Sequence, residues 1–212
     1  MRKVLLAAVF TVCGFAATAQ QVVIAALGDS LTQGYGLIEQ EGFVPQMRAW
    51  LSERGADVRL INAGVSGDTT AGGAARVEWT LTPEVDGMIV ALGGNDVLRG
   101  IDPAVARANI DTILQAAADR DVEVLLVGMQ APGNYGPEYK ADFDAIYPEL
   151  ADEYGALYAQ SFFDGLAVEG DPAAARELMQ PDGIHPNAQG VARIVEALGP
   201  QVLDLVSRAA DE

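Results

Sequence analysis

Val22-Val23-Ile24-Ala25-Ala26-Leu27 runs directly into Gly28-Asp29-Ser30-Leu31-Thr32-Gln33-Gly34, and this junction decides how the rest of the chain is read. Six consecutive aliphatic residues predict a strand buried on both faces, as a parallel sheet sandwiched between helices requires. The glycine-led polar stretch behind it predicts a turn into a helix. The same alternation recurs downstream. Val58 to Ile61, Met88 to Leu92 and Val124 to Val127 are further aliphatic runs, and Leu157 to Ala159 is a shorter fifth.

Between these runs the apolar period lengthens to that of helices, over about Phe43 to Arg54, Ala71 to Leu81, Pro103 to Arg120, Pro137 to Tyr154 and Ala188 to Ser207. Pro103 and Pro137 suit the first helical turn, where no N–H is needed, and Asp102 suits the N-cap ahead of Pro103. Val105, Ala108, Ile110, Ile113, Leu114 and Ala117 form the apolar stripe expected of that helix. Strand and helix in strict alternation imply a three-layer α/β/α sandwich on a central five-stranded parallel sheet of flavodoxin-like type, with right-handed crossovers.

The chain has 212 residues, half of them hydrophobic and a fifth charged, enough for one sizeable core. Its first nineteen residues differ in kind. Arg2 and Lys3 precede an almost wholly apolar run from Val4 to Phe15, and Ala17-Thr18-Ala19 is a small-residue cleavage site. This pattern predicts a secretory signal peptide over residues 1–19 and a single domain over 20–212. The apolar run is too short to span a membrane. Val12 stands where a lipobox needs a small residue, so Cys13 is not expected to carry lipid. Cleavage near Ala19 would leave no cysteine, so a periplasmic or secreted product would rely on its core without disulfides. It would also make the formal charge of −17 two units more negative. Such a charge argues against nucleic acid and anionic membranes as partners. Monomer is the default expectation.

Sites in open parallel sheets form beyond the carboxyl ends of the strands, and four polar segments fall there. They are Gly28 to Gly36, Asn62 to Thr70, Gly93-Gly94-Asn95-Asp96, and Asp182-Gly183-Ile184-His185-Pro186-Asn187 ahead of the last helix. Taken alone, Gly28-Asp29-Ser30 reads most simply as a helix-capping turn, and Gly93 to Asp96 as a tight turn. The tail is more specific. His185 is the sole histidine of the chain, so any imidazole-activated nucleophile must use it. Asp182 stands three residues earlier, close enough to hold Nδ1 and fix the tautomer. Pro186 keeps His185 extended, and Gly183 frees the turn between them. The backbone N–H groups of Ser30 and Gly67 and the amide of Asn95 are candidate donors to an oxyanion.

In order and spacing these four segments resemble the GDSL or SGNH hydrolases, over essentially the whole chain after residue 19. The likeness is nearest to the bacterial arylesterase, thioesterase and lysophospholipase subgroup. It is carried by Gly67-Asp68-Thr69 after Ser66, Leu92 to Gly100, Pro132-Gly133-Asn134-Tyr135-Gly136, and Asp182 to Asn187. The resemblance implies Ser30 as nucleophile, Asp182 and His185 as its partners, and Ser30, Gly67 and Asn95 as the oxyanion hole. It further implies that Val97, Leu98, Arg99, Gly100 and Ile101 form a loop that moves over the acyl chain. Pro132, Asn134 and Tyr135 would line the opposite wall. The implied activity is hydrolysis of lipid-like or aryl esters and thioesters, with no metal or organic cofactor.

No Gly-x-Ser-x-Gly occurs, so the nucleophile elbow of the α/β-hydrolases is excluded. Three other readings compete with this one. A carbohydrate O-acetyl esterase would use the same residues on a smaller acyl group. A metal-dependent phosphoesterase would draw on Asp29, Asp68, Asp96, Asp182 and His185, but one histidine is few for a dinuclear site. An exported, non-enzymatic binding protein would hold a ligand in the strand-end pocket, and it would leave the joint presence of these residues unexplained.

Overall fold

A computed structural model describes residues 21–166 and 172–210; the expected signal peptide lies outside them. Five parallel strands, β1 (Val22–Gly28), β2 (Val58–Gly64), β3 (Gly87–Ala91), β4 (Glu123–Val127) and β5 (Leu157–Ala159), pair in the order β2-β1-β3-β4-β5. The helices between and around them are α1 (Ser30–Gln33), α2 (Phe43–Glu53), α3 (Thr70–Thr80), α4 (Gly94–Arg99), α5 (Pro103–Ala118), α6 (Pro137–Tyr154), α7 (Pro172–Glu177) and α8 (Ala188–Ala210).

Side-chain alternation along the central strands splits the core into two layers. Val23, Ala25 and Leu27 of β1, Met88 and Val90 of β3, and Val124 and Leu126 of β4 point to the face covered by α3, α5 and α6. Val22, Ile24 and Ala26, with Ile89, Ala91, Leu125 and Val127, point to the face covered by α2 and α8. Continuous aliphatic runs are needed because neither face sees water. This is the expected three-layer sandwich.

Two details differ from the sequence reading. β2 is an edge strand, and only Leu60 on it is fully buried; Val58 packs beside it toward α2 and α8, and Ile61 packs toward the other layer, both only partly covered. On α5 the inward stripe is Ala106, Ile110, Ile113, Leu114, Ala116 and Ala117, while Val105 and Ala108 point to solvent. Ala106 and Ala116 are buried where Ala108 is exposed, a distinction that the sequence period alone does not carry. The expected cap is present: the Asp102 carboxylate accepts the N–H of Ala104 at 2.9 Å.

Strand order reverses between β1 and β3, which opens a crevice at their carboxyl ends. The turn after β1 enters that crevice because Gly64, ending β2, lies against α1. A Cβ there would overlap the backbone nitrogen of Gln33, which cannot move without moving Ser30. Gly64→Ala is therefore expected to cost about 1–3 kcal/mol in chemical denaturation. An unchanged denaturation midpoint would contradict this packing.

Candidate active site

Ser30 is the first residue of α1, a single helical turn closed by Gly34 at φ 89°. Asp29 caps that turn, its carboxylate accepting the N–H of Leu31 at 3.0 Å. The strand therefore delivers Ser30 to the crevice with its side chain largely shielded. From the far end of the chain, the loop before α8 brings His185 to it, with Nε2 2.9 Å from Ser30 Oγ. On the other side of the ring, Nδ1 lies 2.7 Å from Asp182 Oδ2.

Asp182 also organises its own loop. Its Oδ1 accepts the N–H groups of Ile184 at 2.9 Å and His185 at 3.0 Å, and Gly183 makes the turn at φ 67°. The hydrogen bond from His185, then those from the two backbone N–H groups, hold the Asp182 carboxyl at a pKa of about 2, below the usual 3.8. The imidazole is thus fixed with Nδ1–H toward Asp182 and Nε2 free to accept the Ser30 hydroxyl proton.

Two further polar segments converge on the serine. Asn95, on α4, donates from Nδ2 to Asp29 Oδ2 at 3.2 Å. Asp29 is buried, which pushes its carboxyl pKa upward against the hydrogen bonds it receives. The α4 turn itself is pinned from beneath. Fully buried Asp96 accepts the N–H of Thr70 at 2.8 Å and its hydroxyl at 2.6 Å. Gly93 must be glycine, since it stands at φ 115° and a Cβ would overlap the Tyr147 hydroxyl, which donates to Leu92 O at 2.9 Å. Gly67 stands at φ 83°, and Arg99 Nη2 donates to its carbonyl at 2.8 Å. This clamp ties the loop after β2 to α4, the two segments that carry Gly67 and Asn95.

These residues open onto a cavity of about 840 Å³. Beside Ser30, Gly67, Asn95 and His185, its walls include Met129, Phe163, Leu166, Ala175 and Met179. Of the residues expected to bind substrate, Val97, Leu98 and Pro132 line the cavity, whereas Arg99, Gly100, Ile101, Asn134 and Tyr135 do not. The expected mobile loop is largely helix α4. Its end is fixed by Ile101 N–H donating to Asp96 O at 2.9 Å and by the Tyr139 hydroxyl donating to Ile101 O at 2.9 Å. Tyr135 packs against Tyr139, with ring centroids 4.9 Å apart, and beside Gly100. The wall residues missed by the sequence reading had a usable signal. Met129 follows β4 by two residues and Phe163 follows β5, so the strand-end rule applied to those strands would have found them.

The carboxylates that a metal-dependent phosphoesterase would draw on are committed elsewhere. Asp68 pairs with Arg76 at 2.7 Å, and Asp96 holds Thr70. Among the described residues no three His, Cys, Asp or Glu side chains converge on a metal position.

Residues 26–193 match the GDSL-like Lipase/Acylhydrolase family. The chain is 36% identical to the esterase TesA of Pseudomonas aeruginosa, over 90% of this chain and 91% of that protein. It is 34% identical to thioesterase 1/protease 1/lysophospholipase L1 of Escherichia coli K12, over 91% of this chain and 88% of that one. Among solved structures, the SGNH-hydrolase family esterase AlinE4 superposes with a TM-score of 0.72 at 41% identity, covering 89% of this chain and 98% of the other.

The low pKa of Asp182 has a measurable consequence. A carboxyl lowered by native partners adds stability that is fully present above about pH 3.8 and is lost as pH falls toward 2. NMR titration of the Asp182 carboxyl should give a midpoint near 2. A midpoint at or above 3.8 would show that the hydrogen bonds to His185 and the loop are not made in solution.

Proposed function

The chain belongs to the GDSL-like lipase/acylhydrolase family, and on that premise we propose that Ser30, His185 and Asp182 carry out hydrolysis of carboxylic esters and thioesters by acyl transfer. The observation that carries this reading is the continuous hydrogen-bonded line from Asp182 Oδ2 through both ring nitrogens of His185 to Ser30 Oγ.

His185 Nε2 takes the hydroxyl proton as Ser30 Oγ attacks the carbonyl carbon. The carbonyl oxygen becomes the oxyanion, held by the N–H groups of Ser30 and Gly67 and by the Asn95 amide. Asp29 anchors Asn95 through Nδ2, which fixes the side-chain plane before substrate arrives. Collapse of the intermediate breaks the ester or thioester bond, and His185 hands the proton to the departing alcohol or thiol. Water then attacks the acyl-enzyme, gives a proton to His185, and releases the acid with Ser30 restored.

The cavity points to the acyl group. Met129, Phe163, Leu166, Ala175 and Met179 make an apolar wall beside Ser30, so the gain from burying an acyl chain grows with each methylene. An acetyl group would leave most of this surface uncovered, which favours medium or long acyl chains over sugar acetates. Export, with cleavage near Ala19, belongs to this reading too. No helix among the described residues is long and apolar enough to cross a membrane.

Two measurements check the reading. Asn95→Ala should fold normally and lose about 10²–10³ in kcat, and turnover near that of the parent would remove Asn95 from the oxyanion hole. Across a p-nitrophenyl ester series, kcat/KM should rise from acetate to a maximum at a medium chain. A maximum at acetate, with no hydrolysis of longer esters, would overturn the assignment of the apolar wall.

A further inference from the structure

We infer that Gln180 is a positioning residue for this reaction, the clasp that sets the distance between Ser30 and His185. The inference rests on the proposed roles of those two residues. Neither ring nor hydroxyl is held in register by its own segment alone. Ser30 sits on a one-turn helix, and His185 sits on an irregular loop between a short helix and α8. Something must join the two loops, and the hydrogen bonds converge on one side chain.

Gln180 Nε2 donates to Tyr35 O at 2.8 Å and to Pro186 O at 3.0 Å. The backbone N–H of Gln180 donates to His185 O at 2.7 Å, and its carbonyl accepts the N–H of Gly183 at 3.0 Å. Tyr35 in turn donates its backbone N–H to Ser30 O at 3.0 Å. These bonds close a ring: Ser30 to Tyr35, Tyr35 to Gln180, Gln180 to His185, and His185 Nε2 back to Ser30 Oγ. The Tyr35 ring completes the contact by lying 4.6 Å from the imidazole, tilted 37°.

Two features show that the chain is shaped around this amide. Gly36 stands at φ 74°, and a Cβ there would overlap Gln180 Oε1, so the backbone leaves space for the side chain. Both Nε2 protons are spent on carbonyl oxygens of different segments, a task for which glutamine has the two donors and glutamate has none when ionised. Asp182, by contrast, orients the imidazole from within the same loop and cannot fix that loop against α1. A misplacement of about 1 Å between reacting groups costs on the order of 10²-fold in rate, which is the scale on which a lost clasp should appear.

The test compares Gln180→Met, similar in length but without donors, with Gln180→Glu, whose carboxylate would face two carbonyl oxygens. Both are assayed on a p-nitrophenyl ester at neutral pH, with active sites counted by fluorophosphonate titration and thermal midpoints recorded. The expected result is a kcat lowered by about 10²-fold, with KM within about twofold and a thermal midpoint within about 4 °C of the parent. The fraction of titratable sites should be unchanged. Since His185 is the sole histidine, its imidazole gives one set of NMR signals. That set should be sharp in the parent and broadened or split in Gln180→Met.

A kcat within about twofold of the parent, or a loss matched in full by fewer titratable sites, would overturn the clasp. So would parent-like imidazole signals in Gln180→Met. Should the parent itself hydrolyse no ester, the proposed function fails, and the imidazole signals alone then decide the clasp.

Discussion

The 2.9 Å contact between Ser30 Oγ and His185 Nε2 joins residues 155 positions apart, so it exists only when the whole sheet is assembled. β1 must lie between β2 and β3 for its turn to enter the crevice, and α8 must cover the opposite face for its preceding loop to arrive there. Burial of β1, β3 and β4 on both faces makes that register stiff, because a one-residue slip would send every side chain into the opposite, differently packed layer. The fold thus supplies the long-range part of the site's geometry through the hydrophobic core. Hydrogen bonds within and between the loops supply the last ångström.

That division explains what could be read from the sequence. The strands of a buried parallel sheet are written as aliphatic runs, and Asp182-Gly183-Ile184-His185-Pro186 carries its own local turn chemistry, so both were legible without coordinates. The sandwich, the caps and the meeting of Ser30 with His185 follow from them. The cavity walls were less legible. Met129, Phe163, Leu166, Ala175 and Met179 come from three separate stretches, after β4, after β5, and α7 with the residues behind it, and none of them carries a chemical signature beyond being apolar. The family resemblance implies a loop from Val97 to Ile101. Buried Asp96, bonded to Thr70, instead winds it into α4, and that partner lies 26 residues away. Side-chain hydrogen bonds across such distances leave no periodic trace.

Charge and cavity point the same way about substrate. A formal charge of −17 disfavours polyanionic partners, while the space beside Ser30 is walled by methionine, leucine and phenylalanine. Arg99 is held against the Gly67 carbonyl, where it braces the proposed oxyanion donors. On the proposed reading the chemistry is generic and selectivity would lie in the wall; relatives are named for esterase, thioesterase and lysophospholipase activities.

Ser30 is the proposed nucleophile, although Ser66 lines the same cavity. The direct measurement is covalent labelling with a fluorophosphonate, followed by proteolysis and mass spectrometry of the adduct. A single adduct on Ser30, formed stoichiometrically and lost in Ser30→Ala, is the expected result. An adduct on Ser66, or a parent chain that hydrolyses esters yet takes no label at Ser30, would contradict it.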